Sequence, residues 1–390
     1  MSKKTKITAI VILNFIIYIS LGLPDSILGS AWPSMRVSYD MGASQVSYLS
    51  TIMLVFSFLS SVFYTKISQK LTVAQVIFSS MTFVIIGLIL MMVTANPLVL
   101  FLATPFMGIG QGAIDVTVNH FAAKHLPSSL MSLLHGFYGL GVSLSAAILT
   151  FFLSTFSSWR LAIGFITVVE ILILTLIFVY RATFAEHDQS ENVAEKSENE
   201  LKPKFRVAYF VSPLFYFFYS VEGVVGVFLA TYYAEVFQVK PSLSAGYTTL
   251  FWLGLMTGRF LTGVLTRFLS DKKIIFTHLV SLIIMSFALL FPPTAWTPVV
   301  VFVLGLAMSA LYPLLMMLPN QMYPEPIAQK VISYNVGFCL LGILVFPLLF
   351  GVLFRLMTFS IFPIFIISMS AILLILAICL YKIVEKQIKA

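Results

Sequence analysis

Four carboxylates, Asp25, Asp115, Glu170 and Glu222, stand inside long apolar runs, and a fifth, Glu235, sits near the end of one. Placing an acid at the centre of a bilayer costs about 2.5–3.5 kcal/mol even on a lenient insertion scale, so such residues are retained for a purpose. The chemistry open to them is limited: taking up and releasing a proton, gripping hydroxyl groups, ligating a small cation, or pairing with another helix.

The neighbours of three of these acids form patterns. Around Asp115 the chain reads FMGIGQGAIDVTVNHFAA. At about 100° per residue, Gly108, Gln111, Gly112, Asp115 and Asn119 share one helix face. Small and polar residues together suit either close helix packing or a cavity wall carrying hydrogen-bonding groups, and the acid favours the wall. Around Glu222, the residues Phe215, Tyr219, Glu222, Gly226 and Tyr233 fall on one stripe of a continuous helix. Aromatic faces beside a carboxylate suit a sugar, since rings cover C–H surfaces and carboxylates accept from hydroxyls. The alternative is that Glu222 is only an interhelical hydrogen-bond partner. Asn14, Tyr18 and Asp25 share a third face, with Pro24 beside the acid. Proline removes a backbone bond, so a bend is expected there.

His135, Tyr138 and Gly139 come together on another helix, and Asn335 is a weaker candidate of the same kind. Glu170 has no polar companion at helical spacing and is taken as structural. A different constellation, GRFLTGVLTRFLSDKK, covers Gly258–Lys273. There Arg259, Arg267 and Asp271 could pair with carboxylates or helix C-termini, which is a gate-like role.

These residues must be held by the apolar stretches themselves. Twelve such stretches are predicted, near 7–30, 43–64, 73–94, 97–122, 128–154, 159–181, 207–236, 243–266, 274–292, 297–320, 328–354 and 358–382. Each suits a spanning helix of about 20 residues. They divide six and six around the polar segment 182–206, which carries six of the 15 acidic residues. The expected organisation is an N-terminal six-helix bundle over 1–181, a linker over 182–206 and a C-terminal six-helix bundle over 207–390. Only 10% of residues are charged and mean hydropathy is +1.01, so no soluble domain of ordinary size fits.

With the N-terminus inside, 18 of the 23 lysines and arginines fall on inner loops and tails. That bias places both termini and the linker in the cytoplasm. The net charge of +8 then answers to anionic lipid rather than nucleic acid. The opening MSKKTKITAIVILNF has the look of a signal peptide but is read as an uncleaved first helix. Cys339 and Cys379 are expected to be small buried side chains. No metal-ligand spacing, no nucleophile beside a histidine and acid, and no phosphate-cradling loop is found, so an enzyme is not expected.

Two six-helix halves, inner termini, a central linker and the GRxxxGxLxxR run at 258–267 resemble the major facilitator superfamily. Within it, GLPDSILGSAWPSM (22–35), GIGQGAIDVTVNHF (108–121) and FFYSVEGVVGVFLATYY (217–233) are similar to patterns of the fucose permease group, which includes glucose/mannose transporters. The resemblance implies twelve transmembrane helices in two pseudo-symmetric bundles. It puts Asp25 in the place of that group's first-helix aspartate and Asp115 in the place of its fourth-helix glutamate. Asp115 would then bind sugar hydroxyls and change protonation, with Asp25 in the proton path. His135 falls where the group has a polar contact, and histidine is a departure. A second departure is the loop after the second span, which offers only Lys66 and Lys70 where the superfamily has its usual Asp and Gly.

The expectation is a secondary transporter working by alternating access, with its site near the midplane between the halves. The substrate class is a monosaccharide or similar polyol, taken up with protons; a multidrug or metabolite exporter is the alternative. The coupling set is Asp115, Asp25 and Glu222, and the substrate set is Asp115, Asn119, Gln111, His135, Tyr138, Tyr219, Glu222 and Asn335. Arg259, Arg267 and Asp271 form the gating set. No cofactor is expected beyond the coupling ion, H⁺ or else Na⁺, and a monomer in the cell membrane is expected.

Overall fold

The computed structural model describes residues 3–67, 70–125, 128–181 and 207–388. Among them there is no strand, and nearly every residue is helical. The helices are α1 (Lys3–Gly22), α2 (Ile27–Ser38), α3 (Val46–Ile67), α4 (Val73–Val93), α5 (Pro97–His125), α6 (Ser128–Phe156) and α7 (Trp159–Val179). After the linker come α8 (Val211–Tyr219), α9 (Val221–Phe237), α10 (Pro241–Leu265), α11 (Asp271–Ala288), α12 (Thr297–Ser309), α13 (Leu311–Met322), α14 (Glu325–Leu356) and α15 (Phe362–Ile388). Ten segments of the described chain are long and apolar enough to cross a membrane. Helices α10 and α11 fill the remaining two of the twelve expected positions, at 25 and 18 residues.

Three spans are broken rather than continuous: α1–α2, α8–α9 and α12–α13. The first break stands at Pro24, where the sequence calls for a bend. The Ser20 carbonyl, which Pro24 cannot reach for want of an N–H, accepts from the Leu23 N–H at 3.3 Å instead. The chain then runs on helically to Ser38, so Arg36 lies in the last turn of α2 rather than in a loop, where a cation complements the helix dipole. The second break centres on Ser220, whose hydroxyl donates to the Phe217 carbonyl at 2.6 Å.

The chain falls into two compact units, one of Met1–Val193 with Val239–Thr249, the other of Ala194–Gln238 with Leu250–Ala390. In the first, α3 and α4 pack on α5, and α1 packs on α6. In the second, α8 packs on α14, and α11 packs on α12 and α15. Glycines set the closest approaches. A Cβ on Gly108 of α5 would overlap the Met53 carbonyl of α3, and one on Gly305 of α12 would overlap the Phe251 carbonyl of α10. These are the fourth span on the second and the tenth on the eighth. The same seam therefore recurs one half-chain later, as internal duplication requires.

Apolar side chains such as Leu98, Phe151, Leu172 and Ile375 are exposed, as a lipid-facing surface demands. Cys379 is exposed among them, which corrects its expected burial, while Cys339 is buried.

Candidate functional site: two buried polar clusters

The first cluster is assembled by the break in the first span. Gly22 and Gly141 allow α1 and α6 to meet backbone to backbone: a Cβ on Gly22 would overlap the Tyr138 carbonyl, and one on Gly141 the Ile19 carbonyl. That contact brings the turn carrying Asp25 against Tyr138. Both Asp25 oxygens are used. Tyr138 Oη–H donates to Oδ2, and Gln111 Nε2–H, from α5, donates to Oδ1.

Further along α5, the Asn119 amide donates to Asp115 Oδ1 at 2.7 Å and to the Asp115 carbonyl at 2.9 Å. The Asn119 carbonyl oxygen in turn accepts from the Tyr18 hydroxyl of α1 at 2.6 Å. Asp25 and Asp115 lie within electrostatic reach of one another. Among the described residues neither carboxylate pairs with a lysine or arginine. The cluster therefore offers two acids, two amides and two phenols without a cation, a set able to hold a proton and exchange hydrogen bonds with hydroxyls.

Within the stripe on α5 the residues divide their roles. Gly108 and Gly112 face α3, where their missing side chains admit the Met53 and Ser57 carbonyls, and Ser60 and Ser61 hydroxyls bond the α5 backbone at 2.8 and 3.1 Å. The small residues make a packing seam, and Gln111, Asp115 and Asn119 carry the polar contacts. Glu170, read from the sequence as structural, accepts from the Ser20 hydroxyl of α1 at 2.5 Å, while its Oε1 has no hydrogen-bond partner. The His135 backbone lies in α6, and its side chain is outside the described residues.

The second cluster forms at the break in the seventh span. Tyr219, the last residue of α8, donates to Glu222 Oε2 and lies 3.1 Å from the Met308 carbonyl of α12. Arg259 Nη2 of α10 stands 3.6 Å from Glu222 Oε1. One turn further along α9, Gly226 faces the ring edge of Trp252. Trp252 and Arg259, seven residues apart, share a face of α10 and address Gly226 and Glu222, four apart on α9. The indole N–H of Trp252 is buried with no acceptor. Sequence reasoning missed Trp252, although its spacing of seven from Arg259 was a usable signal.

The expected aromatic stripe is not an open wall. Phe215 and Tyr233 are wholly buried, and the break at Ser220 interrupts the helical register that placed them beside Glu222. Asn335 of α14 is also buried, its amide near the Met316 sulfur at 3.9 Å. The three residues of the expected gate are not gathered together. Arg259 joins Glu222, Arg267 is exposed in the turn after α10, and Asp271 begins α11, where an acid complements the helix dipole.

The family model of the Major Facilitator Superfamily matches residues 14–325 and 216–390. The chain belongs to the major facilitator superfamily. It is accordingly a multi-pass transporter of small molecules rather than an enzyme. Solved structures of similar fold include a bacterial homolog of the human lysosomal transporter Spinster, at 13% identity and TM-score 0.73, covering 100% of this chain and 99% of that one. The xylose transporter XylE from E. coli is similar at 13% identity and TM-score 0.73, covering 96% of each chain. A point mutant of the nucleoside transporter NupG is similar at 10% identity and TM-score 0.73, covering 95% of this chain and 98% of that one. No curated protein matches the sequence.

Proposed function

We propose that this superfamily member takes up a monosaccharide or similar polyol together with protons, by alternating access in the cell membrane with both termini cytoplasmic. The observation that carries the reading is the cluster of Asp25, Asp115, Gln111, Asn119, Tyr18 and Tyr138, with no cation among its described partners. Two carboxylates within electrostatic reach repel when both are charged, and a proton taken from outside relieves that repulsion. The amides and phenols that surround them are the donors and acceptors a polyhydroxylated solute exchanges on binding.

In this scheme Asp115 is the coupling acid, because the Asn119 amide engages its Oδ1 and leaves Oδ2 for substrate or proton. Asp25, with both oxygens occupied, positions Gln111 and Tyr138 and relays the proton. Neutralising Asp115 lowers the penalty for carrying the loaded site through an occluded state. Support also comes from the likeness of segments 22–35, 108–121 and 217–233 to the fucose permease group and from xylose transporters among the structural neighbours. The division of labour follows the two units: 1–181 would carry proton coupling and 207–390 a share of substrate recognition, with 182–206 as linker.

The test is uptake of labelled hexoses, deoxyhexoses and pentoses into proteoliposomes under an inward proton gradient, with Asp115→Asn in parallel. The expected result is saturable uptake that is abolished by an uncoupler and lost in the variant. Uptake that needs a sodium gradient and ignores the proton gradient would assign the coupling ion to Na⁺ instead.

A further inference from the structure

The second cluster holds a cation that a neutral sugar does not need. Arg259 lies six residues before the end of α10, and its side chain leans toward the N-terminal end of that helix, as side chains on a helix do. It thereby reaches Glu222, beside the break of the seventh span. The contact is loose, at 3.6 Å to one carboxylate oxygen, and both side chains keep some exposure, 26% for Arg259 and 15% for Glu222. A bidentate guanidinium–carboxylate pair would close to about 2.7–2.9 Å. Glu222 Oε2 is already engaged by the Tyr219 hydroxyl, so this carboxylate cannot offer Arg259 both oxygens freely.

The donors outnumber the acceptor. Arg259 has five N–H groups in a planar fork, and the Trp252 indole N–H on the same face of α10 has no acceptor. The other titratable or polar groups facing Glu222 are Tyr219 on α8, Tyr312 on α13, whose ring lies 5.9 Å from that of Tyr219, and Cys339 on α14, within electrostatic reach of both Tyr219 and Glu222. None of these described groups is a second carboxylate. What completes such a set is an acceptor-rich anion, and an indole face beside a guanidinium suits a carboxylate borne on a sugar ring or polyol chain.

We propose that the substrate is a sugar acid, a hexuronate or aldonate, whose carboxylate displaces Glu222 from Arg259. The inference rests on the monosaccharide reading above and narrows its substrate class. The exchange balances in charge. Glu222 takes one proton from the entry side and releases Arg259, and the substrate carboxylate replaces the glutamate on the guanidinium. One proton therefore accompanies one carboxylate at this cluster. After the substrate leaves, Arg259 recaptures Glu222 as the proton departs on the opposite side.

Binding is measured on the purified full chain with labelled D-galacturonate and D-gluconate, and with D-galactose as the neutral probe, from pH 5.5 to 8. The expected result is at least about tenfold tighter binding of either acid than of galactose. Arg259→Lys should weaken the acids more than about tenfold and leave galactose unchanged, because an ammonium cannot reproduce the planar fork. Glu222→Gln should bind the acids with an affinity that no longer varies with pH, and its retained binding would itself report a folded protein. Equal binding of galactose and galacturonate, or indifference of the acids to Arg259→Lys, overturns the inference and leaves the monosaccharide reading standing. Binding of none of the three sugars overturns both.

Discussion

Tyr138→Phe removes one hydroxyl and almost no volume, so it isolates the bond that α6 makes to Asp25. Asp25 accepts one donor on each oxygen, from Tyr138 and from Gln111, and the side chains lie in the packed contact of α1, α5 and α6. A hydrogen bond to a charged group contributes about 1.5–3 kcal/mol, and one between neutral groups about 0.5–1.5 kcal/mol. Tyr138→Phe should therefore lower stability by about 1–3 kcal/mol. Asp25→Asn should remove a similar part, since an amide retains one acceptor but places an NH₂ against a donor. The decisive quantity is the coupling between them. In a double-mutant cycle followed by reversible unfolding in mixed detergent micelles, the two changes should couple by at least about 1 kcal/mol. The same cycle on transport should show each single variant impairing proton-driven uptake and the double variant no worse than Asp25→Asn. Strict additivity, within the roughly 0.3–0.5 kcal/mol expected for independent sites, would refute the claim that Tyr138 acts through Asp25.

Gly305→Ala and Gly108→Ala should each destabilise their half by about 1–3 kcal/mol through overpacking against the Phe251 and Met53 carbonyls. Gly337→Ala, with open space around its Cβ position, should be neutral or slightly stabilising in the same unfolding assay. Glu170→Gln should keep the Ser20 bond and most stability, whereas Glu170→Ala should cost about 2 kcal/mol or more by leaving a buried cavity beside an unpaired hydroxyl, read as a shift in unfolding midpoint. Gly226→Ala should move the Trp252 ring it faces, detectable as a change in tryptophan emission that Gly223→Ala, with nothing nearby, does not produce.

Most of the fold was legible because hydrocarbon imposes its length on the chain, and the twelve apolar stretches mark the helices to within a few residues at most ends. The break near Pro24 was legible too, since a missing N–H is a local fact. The break at Ser220 was not: no proline stands there, and Ser220 closes the turn with its own hydroxyl against a carbonyl that Gly342 of α14 leaves room for. Periodicity puts Gln111, Asp115 and Asn119 on one face but cannot separate them from Gly108 and Gly112, because one arc of α5 borders two different neighbours. Ser20 and Glu170, 150 residues apart, meet only through packing, and spacing within a helix carries no signal of that. The basic motif assigns Arg259 to a gate. The direction in which an α10 side chain leans is what carries it to Glu222.

The most direct test of proton-coupled uptake is the lumenal pH of proteoliposomes, followed with an entrapped dye, as sugar is added outside without an imposed gradient. Coupled entry predicts that an accepted sugar acidifies the lumen in the wild-type protein. Asp115→Asn should carry out sugar counterflow without that acidification. Sugar accumulation with no change in lumenal pH would contradict the account.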